Sequence, residues 1–367
     1  MRPVLSGSDS NDRKLIKTFN RSCPGKLVRA VKNPSATRHP TLGPIVGIWE
    51  AYALDETFRD KGSSGGVLSS LSAWMLERGI ASTVSGASKE STNPRRTVPV
   101  TITTKEQALK AAGSRYAPVS ALSGESALKV GNAVVGKPCE VSAMRSYENM
   151  EGRDNSIKLS FFCAGTPSQE ATDSLIEKLG IPKTKPLKDL WYRGNGWPGN
   201  FTAIAKDGQR VETSYDESWG AALGPTVQWR CRVCPDGVGE SSDITAGDFW
   251  EADENGYPKF SDMPGRSVLI ARTSRGFELV QAAEREGVIA LRPADPEAVA
   301  KMQPYQFSRR RYLFGRLLAS QIFLGAAPRV RGFGIIKATL GEPIRTYREL
   351  RGSISRIRHR RRAGIKS

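Results

Sequence analysis

The period of apolar and polar positions changes several times along the chain. Residues 1–40 are polar and rich in Lys, Arg, Ser and Pro, and they predict an irregular arm. The alternating patch Ile45-Val46-Gly47-Ile48-Trp49-Glu50-Ala51-Tyr52 predicts a first strand. A glycine–serine loop follows. Beyond it, Val67, Leu68, Leu71, Trp74, Met75 and Leu76 recur at helical spacing, and Gly79 is placed to close that helix. Residues 97–103 read as a strand and 105–112 as a helix. Residues 132–135 form a short apolar strand that runs into Gly136-Lys137-Pro138-Cys139, and residues 158–162 form another that runs into Cys163. An amphipathic helix over 168–179 is stopped by Gly180 and Pro182.

From Lys188 the pattern becomes β-rich and aromatic, with Trp191, Tyr192, Trp197, Phe201, Tyr215, Trp219 and Trp229. A strand at 268–272 and a helix at 277–286 complete this region. Beyond about residue 296 the chain is helical and basic. The sum is an α/β protein: a mixed-sheet core with a β-rich portion and a basic helical C-terminal extension. The expected organisation is an arm over 1–40, a core over 41–295, a helical segment over 296–343 and a basic tail over 344–367.

Charge changes the picture at the C-terminal end. The net charge is +18, and its excess includes Arg309, Arg310, Arg311 and the arginines of the last twenty-odd residues, where Glu349 is the only acid. Such a tail is expected to be solvated, with acidic lipid as one partner. Its lack of interleaved aromatics argues against nucleic acid. Residues 1–20 are too polar for a signal peptide, and no run reaches the roughly 18 apolar residues of a spanning helix. The amphipathic stretch 312–324 suits a membrane surface better than a membrane interior. The expectation is a cytoplasmic protein, with a peripheral position at the inner membrane face as the alternative. Cysteines there serve more often as metal ligands or nucleophiles than as disulfides.

There are five cysteines and only two histidines. Cys231-Arg232-Val233-Cys234 is a C-x-x-C pair, whose spacing lets both sulfurs face one metal. Cys139 and Cys163 each follow a short apolar strand; if those strands are parallel neighbours, both cysteines reach one sheet edge. Four thiolates would suit zinc or a four-iron cluster alike. As lone residues, Cys139 and Cys163 read equally well as small buried apolar side chains. The loop Gly62-Ser63-Ser64-Gly65-Gly66 precedes a helix, where free amides bind phosphate, but it also reads as a plain turn with a cap.

Several phrases together resemble one family, the beta subunits of coenzyme F420 hydrogenases and dehydrogenases. They are Gly62-Ser63-Ser64-Gly65-Gly66-Val67, Gly113-Ser114-Arg115-Tyr116-Ala117-Pro118, Val135-Gly136-Lys137-Pro138-Cys139-Glu140-Val141 and Phe161-Phe162-Cys163-Ala164-Gly165. Further along come Tyr192-Arg193-Gly194-Asn195-Gly196-Trp197-Pro198-Gly199, Cys231-Arg232-Val233-Cys234-Pro235-Asp236, Ser242-Asp243-Ile244-Thr245-Ala246-Gly247-Asp248-Phe249-Trp250 and Arg272-Thr273-Ser274-Arg275-Gly276. They keep the family's order over roughly residues 20 to 290.

The resemblance implies an FAD and iron–sulfur oxidoreductase that exchanges electrons with a redox partner protein or a soluble carrier (deazaflavin, nicotinamide or ferredoxin). It implies Cys139, Cys163, Cys231 and Cys234 as ligands of one [4Fe-4S] cluster. It implies flavin contacts from Ser63, Ser64, Gly65, Gly66, Ser114, Arg115 and Tyr116. Arg193, Trp197 and Asp248 lie in glycine-rich loops that could line the flavin or substrate pocket. No catalytic acid can be named. Cys23 stands alone, so a second cluster cannot be built from this chain, and Glu140 stands where the family carries glutamine. The competing reading is a non-catalytic iron–sulfur electron-transfer or scaffold subunit, with polysaccharide synthesis at the membrane surface as one setting.

Overall fold

The computed structural model describes residues 12–252, 258–259 and 263–362. Its centre is an eight-stranded mixed sheet. In chain order the strands are β1 (Gly47–Ala53), β2 (Thr83–Lys89), β3 (Thr97–Ile102), β4 (Asn132–Gly136) and β5 (Ile157–Phe161). After a separate three-stranded antiparallel sheet, made of β6 (Leu187–Trp191), β7 (Phe201–Ala205) and β8 (Arg210–Thr213), come β9 (Ile244–Asp248), β10 (Ser267–Ala271) and β11 (Ile289–Pro293). The order across the large sheet is β11-β1-β10-β9-β5-β4-β2-β3. Pairing directions make β1, β9, β5, β4 and β2 run one way and β11, β10 and β3 the other.

Strand β10 shows why the sheet lies inside the molecule. Its residues Ser-Val-Leu-Ile-Ala are buried along their whole length, the pattern of a strand covered on both faces. Leu269 packs with Leu71, Trp74, Met75, Val280 and Ala283 of the helices Val67–Glu77 and Ser274–Arg285. Val268 and Ile270 point the other way, toward Leu42 and Val299. The alternation of side chains along a strand thus builds two cores from one strand. Gly79, at φ +66, stands just past the first of those helices, as its position predicts.

Both ends differ from expectation. The arm holds a helix, α1 (Arg13–Ser22), capped by the Asp12 carboxylate. It also holds two short ladders, Leu27–Arg29 parallel to Arg329–Arg331 and Thr37–His39 antiparallel to Gly43–Ile45. Ion pairs hold the arm down: Arg38 reaches the nearly inaccessible Glu240 carboxylate at 3.0 Å, and Arg310 reaches it at 2.6 Å. At the other end, residues 343–362 form the helix Pro343–Arg362, which packs on Leu313–Leu324 and buries Thr346, Ser353 and Ile357. These three buried side chains, spaced seven and four residues apart, anchor one face of the arginine-rich segment to the fold, so it is not a free tail. Residues 363–367 lie outside the described residues. The β-rich reading of the segment after Lys188 holds only to Thr213; Asp216–Leu223 and Trp229–Arg232 are helical turns. Trp219 packs from the first of these against Tyr116 and the core of the small sheet. No described helix is long and apolar enough to cross a membrane.

Candidate functional site

The co-directional strands end at one edge of the sheet, where open α/β sheets bind ligands. Strands β4 and β5 are parallel neighbours, with Val135 opposite Leu159 and Gly136 opposite Ser160. Cys139 and Cys163, which follow them, therefore reach the same edge. Pro138 opens the helix α2 (Pro138–Met150), which places Cys139 in its first turn. Positive dipole charge there favours a thiolate. Cys163 is fixed through its backbone: its amide donates to the Gly237 carbonyl at 2.8 Å.

Cys231 and Cys234 lie in and just after the one-turn helix Trp229–Arg232, which the Trp229 indole ties to Ser320 at 2.8 Å. The Thr166 amide donates to Cys231 Sγ at 3.4 Å, and Cys234 Sγ lies 3.3 Å from the Asp236 carbonyl. None of the five cysteines is in a disulfide.

The four thiols share one electrostatic environment. Burial pushes the Cys139 thiol up to about 12, against the pull of Arg230, with Cys234 and Cys163 adding to the rise. Burial does the same to Cys163, again to about 12, against the pull of Arg309, with Cys231 and Cys234 adding. Cys234 is raised for the same reason. Yet all four residues keep partial surface access. The coupling of their charges puts the four half-buried thiols together in one thiol recess at the strand edge. Among the described residues, no group of three or more His, Cys, Asp or Glu side chains is arranged to hold a metal ion as it stands.

Two guanidiniums border this recess. Arg309 is 2% exposed, donates to the Ala164 carbonyl at 2.8 Å and leaves its Nε without a partner. Its charge is held by Tyr305 and by the thiols of Cys234 and Cys163. Arg230 is held by Cys139, Cys231, Cys234 and Cys23. Positive charge beside buried thiols favours their deprotonated, ligating form. Neither arginine stood out in the sequence. Arg309 was hidden in a run of three arginines that reads as surface charge, and Arg230 merely precedes the C-x-x-C pair. Glu140 is braced, accepting from the Lys137 and Ala121 amides at 2.9 and 3.0 Å and from Lys137 Nζ at 2.8 Å, yet its charge still adds to the rise at Cys139.

On the other side of β9 lies the glycine–serine loop. Ser64 Oγ donates to the Arg266 carbonyl at 2.8 Å and lies 3.4 Å from the Gly247 carbonyl. The Phe162 ring packs over Gly247, where a Cβ would overlap it. One strand end thus separates the loop from Cys163. Gly66 has φ +70, and a Cβ there would overlap the Phe58 carbonyl, so only glycine fits. Gly66 also gives the Val67–Glu77 helix no side-chain cap. The amides of that first turn have no side-chain partner from the cap. The Gly65 amide is already taken by Ser267 Oγ at 2.9 Å.

The structure joins most of the expected flavin-side residues. Ser114 Oγ donates to Ser63 Oγ at 2.7 Å, and Ser114 bridges Arg193 through the backbone. Arg193 is 2% exposed and pairs with Asp248 at 2.9 Å. Its guanidinium lies 4.6 to 5.2 Å from the ring centres of Tyr215, Trp197 and Trp250, and its second terminal nitrogen has no partner. Trp250 and Tyr215 had drawn no functional reading from the sequence. Arg115 and Tyr116 stand apart. Arg115 donates to the carbonyls of Leu190, Pro94 and Arg96 and to Thr97 Oγ1, which clamps the small sheet to β3. Tyr116 packs between Tyr192 and Trp219.

Fold and site together define a mixed-sheet α/β protein with a thiol recess and an uncapped helix start at one strand edge. Residues 48–124 match the model of the coenzyme F420 hydrogenase/dehydrogenase beta subunit N-terminal region, and residues 131–297 match that of its C-terminal region. The chain belongs to the coenzyme F420 hydrogenase/dehydrogenase beta subunit family. It is 24% identical over 261 residues to the beta subunit of F420-dependent formate dehydrogenase 1 from Methanococcus maripaludis, covering 69% of this chain and 63% of that protein. It is 25% identical over 271 residues to the coenzyme F420 hydrogenase beta subunit of Methanosarcina barkeri, covering 70% of this chain and 84% of the relative. A chain of the F420-reducing hydrogenase complex from Methanosarcina barkeri shares the fold, with TM-score 0.56 at 22% identity over 80% of this chain and 98% of that one.

Proposed function

We propose that this chain is an FAD and iron–sulfur oxidoreductase subunit that carries electrons between a flavin and one four-iron cluster. The observation that carries the reading is the thiol recess. Four cysteines from three segments gather at the strand edge, with the buried Arg309 and the exposed Arg230 guanidiniums beside them. A four-iron cluster needs four thiolates around a guest larger than one ion. Cys139, Cys163, Cys231 and Cys234 would hold it, and Arg230 and Arg309 would offset its negative charge. The flavin phosphates would meet the first-turn amides of Val67–Glu77 rather than the committed Gly65 amide. Arg193, held by Asp248 inside three aromatic rings, is a donor fixed in place for an electron-rich ring edge.

The bound groups supply the redox chemistry: a flavin takes up two electrons, and a cluster moves one at a time. The chain positions both and shields them from water. The names of its relatives, an F420-dependent formate dehydrogenase and a coenzyme F420 hydrogenase, support coenzyme F420 as the carrier proposed for this subunit. A second reading, an iron–sulfur scaffold without flavin, draws on the internally bonded Ser64 and Gly65.

An anaerobically purified full-length chain should contain about four irons and one FAD, with broad visible absorption from the cluster. Iron without flavin would support the scaffold. Zinc without iron would overturn the cluster assignment.

A further inference from the structure

Helix α1 is unusual in having no buried residue. Arg13, Lys17 and Arg21 recur every four residues along it and form one positively charged face. Like charges at this spacing destabilise a helix by about 0.2–0.5 kcal/mol per pair. Arg29, Arg329 and Arg331, from the parallel ladder Leu27–Arg29 with Arg329–Arg331, complete a groove of about 450 Å³. All six cations are exposed, and none has an ion-pair partner among the described residues. Ile16 and Leu27 line the same groove, and Leu15 and Phe19 stand 47% and 50% exposed beside it. Among the described residues, six cations without an ion-pair partner ring an apolar centre, the make-up of a docking surface.

The place of this groove says which partner. Helix α1 packs on helix α2, whose first turn carries Cys139. Cys23 caps the C-terminal end of α1. Its sulfur and Arg230 Nε both lie against Gly25, 3.5 and 3.7 Å from where a Cβ would stand. Arg230 in turn borders the thiol recess. A protein seated in the groove would therefore approach the thiols by way of Cys23 and Arg230.

We propose that this groove docks an acidic one-electron carrier protein. The carrier loses one electron per encounter and the cysteine-held cluster gains it, so two encounters and two protons reduce one flavin. Exposed cations favour a protein surface over a small buried anion, and the apolar centre favours a protein over a nucleic-acid backbone. Opposite charge would steer the encounter, with a rate that falls as salt rises. The choice of occupant rests on the cluster reading proposed above.

The test uses the full-length chain and an acidic plant-type ferredoxin as probe, with binding followed by biolayer interferometry and electron transfer by stopped flow. The triple variant Lys17→Glu, Arg21→Glu, Arg329→Glu should weaken binding about tenfold or more and flatten the salt dependence of the rate. Its iron and flavin content and its reduction by dithionite should match the parent, and so should all properties of a Lys206→Glu control. Unchanged ferredoxin binding in the triple variant would overturn the proposal. Duplex DNA bound at physiological salt with no ferredoxin bound would overturn the occupant. Should the triple variant fail to fold, Lys17→Glu alone, at an exposed helix position, decides through the same binding assay. Absence of iron from the parent chain would sink the cluster reading but not the surface, because binding is measured without electron transfer.

Discussion

The two sides of strand β9 hold opposite kinds of site. On the glycine-loop side the named polar groups are bonded within the protein: Ser64 to a carbonyl, the Gly65 amide to Ser267, Ser114 to Ser63 and Arg193 to Asp248. On the cysteine side the thiols are free and half-buried, the Arg309 Nε has no hydrogen-bond partner, and Arg230 and Arg309 couple to the thiols through charge alone. The loop side is thus a rigid wall that offers backbone to a ligand. The cysteine side is a ligand set whose own charges call for a guest. Buried thiols held near 12 are costly to ionise until something binds the thiolates.

The largest expected effect is on the cysteine side. Cys234→Ser should remove most of the iron and the broad visible absorption while leaving flavin in place. Iron and flavin counts on one preparation check both halves, and an unchanged spectrum would remove Cys234 from the ligand set. Next comes Asp248→Ala, at the boundary. It strands the buried Arg193 charge, which costs about 3–5 kcal/mol, so urea unfolding should shift strongly and flavin content should fall.

Gly66→Ala acts on the loop side alone. A methyl group at φ +70 against the Phe58 carbonyl should cost about 1–3 kcal/mol and lower flavin content with iron retained. If iron fell equally, the two sides would not be independent. The smallest effect is on pH. Burial raises the Asp243 carboxyl, but Arg145 and Arg275 outweigh it and hold the group below its usual value near 3.8. A depressed carboxylate stabilises the fold above the unfolded value and loses that contribution as pH falls through the folded one. The thermal unfolding midpoint should therefore fall as pH drops below about 4, and Asp243→Asn should flatten that dependence.

Local pattern carried much of this protein. The strands leading to Cys139 and Cys163, the Val67–Glu77 helix and its closing Gly79 all follow from periodicity and turn residues, within a residue or two. Chain order alone also made Gly62 to Gly66 a loop before a helix. What the sequence could not decide was which groups face one another. Arg309 reads as surface charge, yet tertiary packing seals it beside Cys163 and Cys234, because the helix Pro304–Arg311 lies across the strand edge. The arginines of 343–362 read as a loose tail, yet Thr346, Ser353 and Ile357 give that helix a side to bury. Arg13, Lys17 and Arg21 were legible as charge but not as a groove, which exists only because residues 329–331 pair with residues 27–29, some three hundred positions earlier. Periodicity reports which way a side chain faces on its own element. Partners across the fold are fixed by burial and pairing between distant segments, which no local pattern encodes.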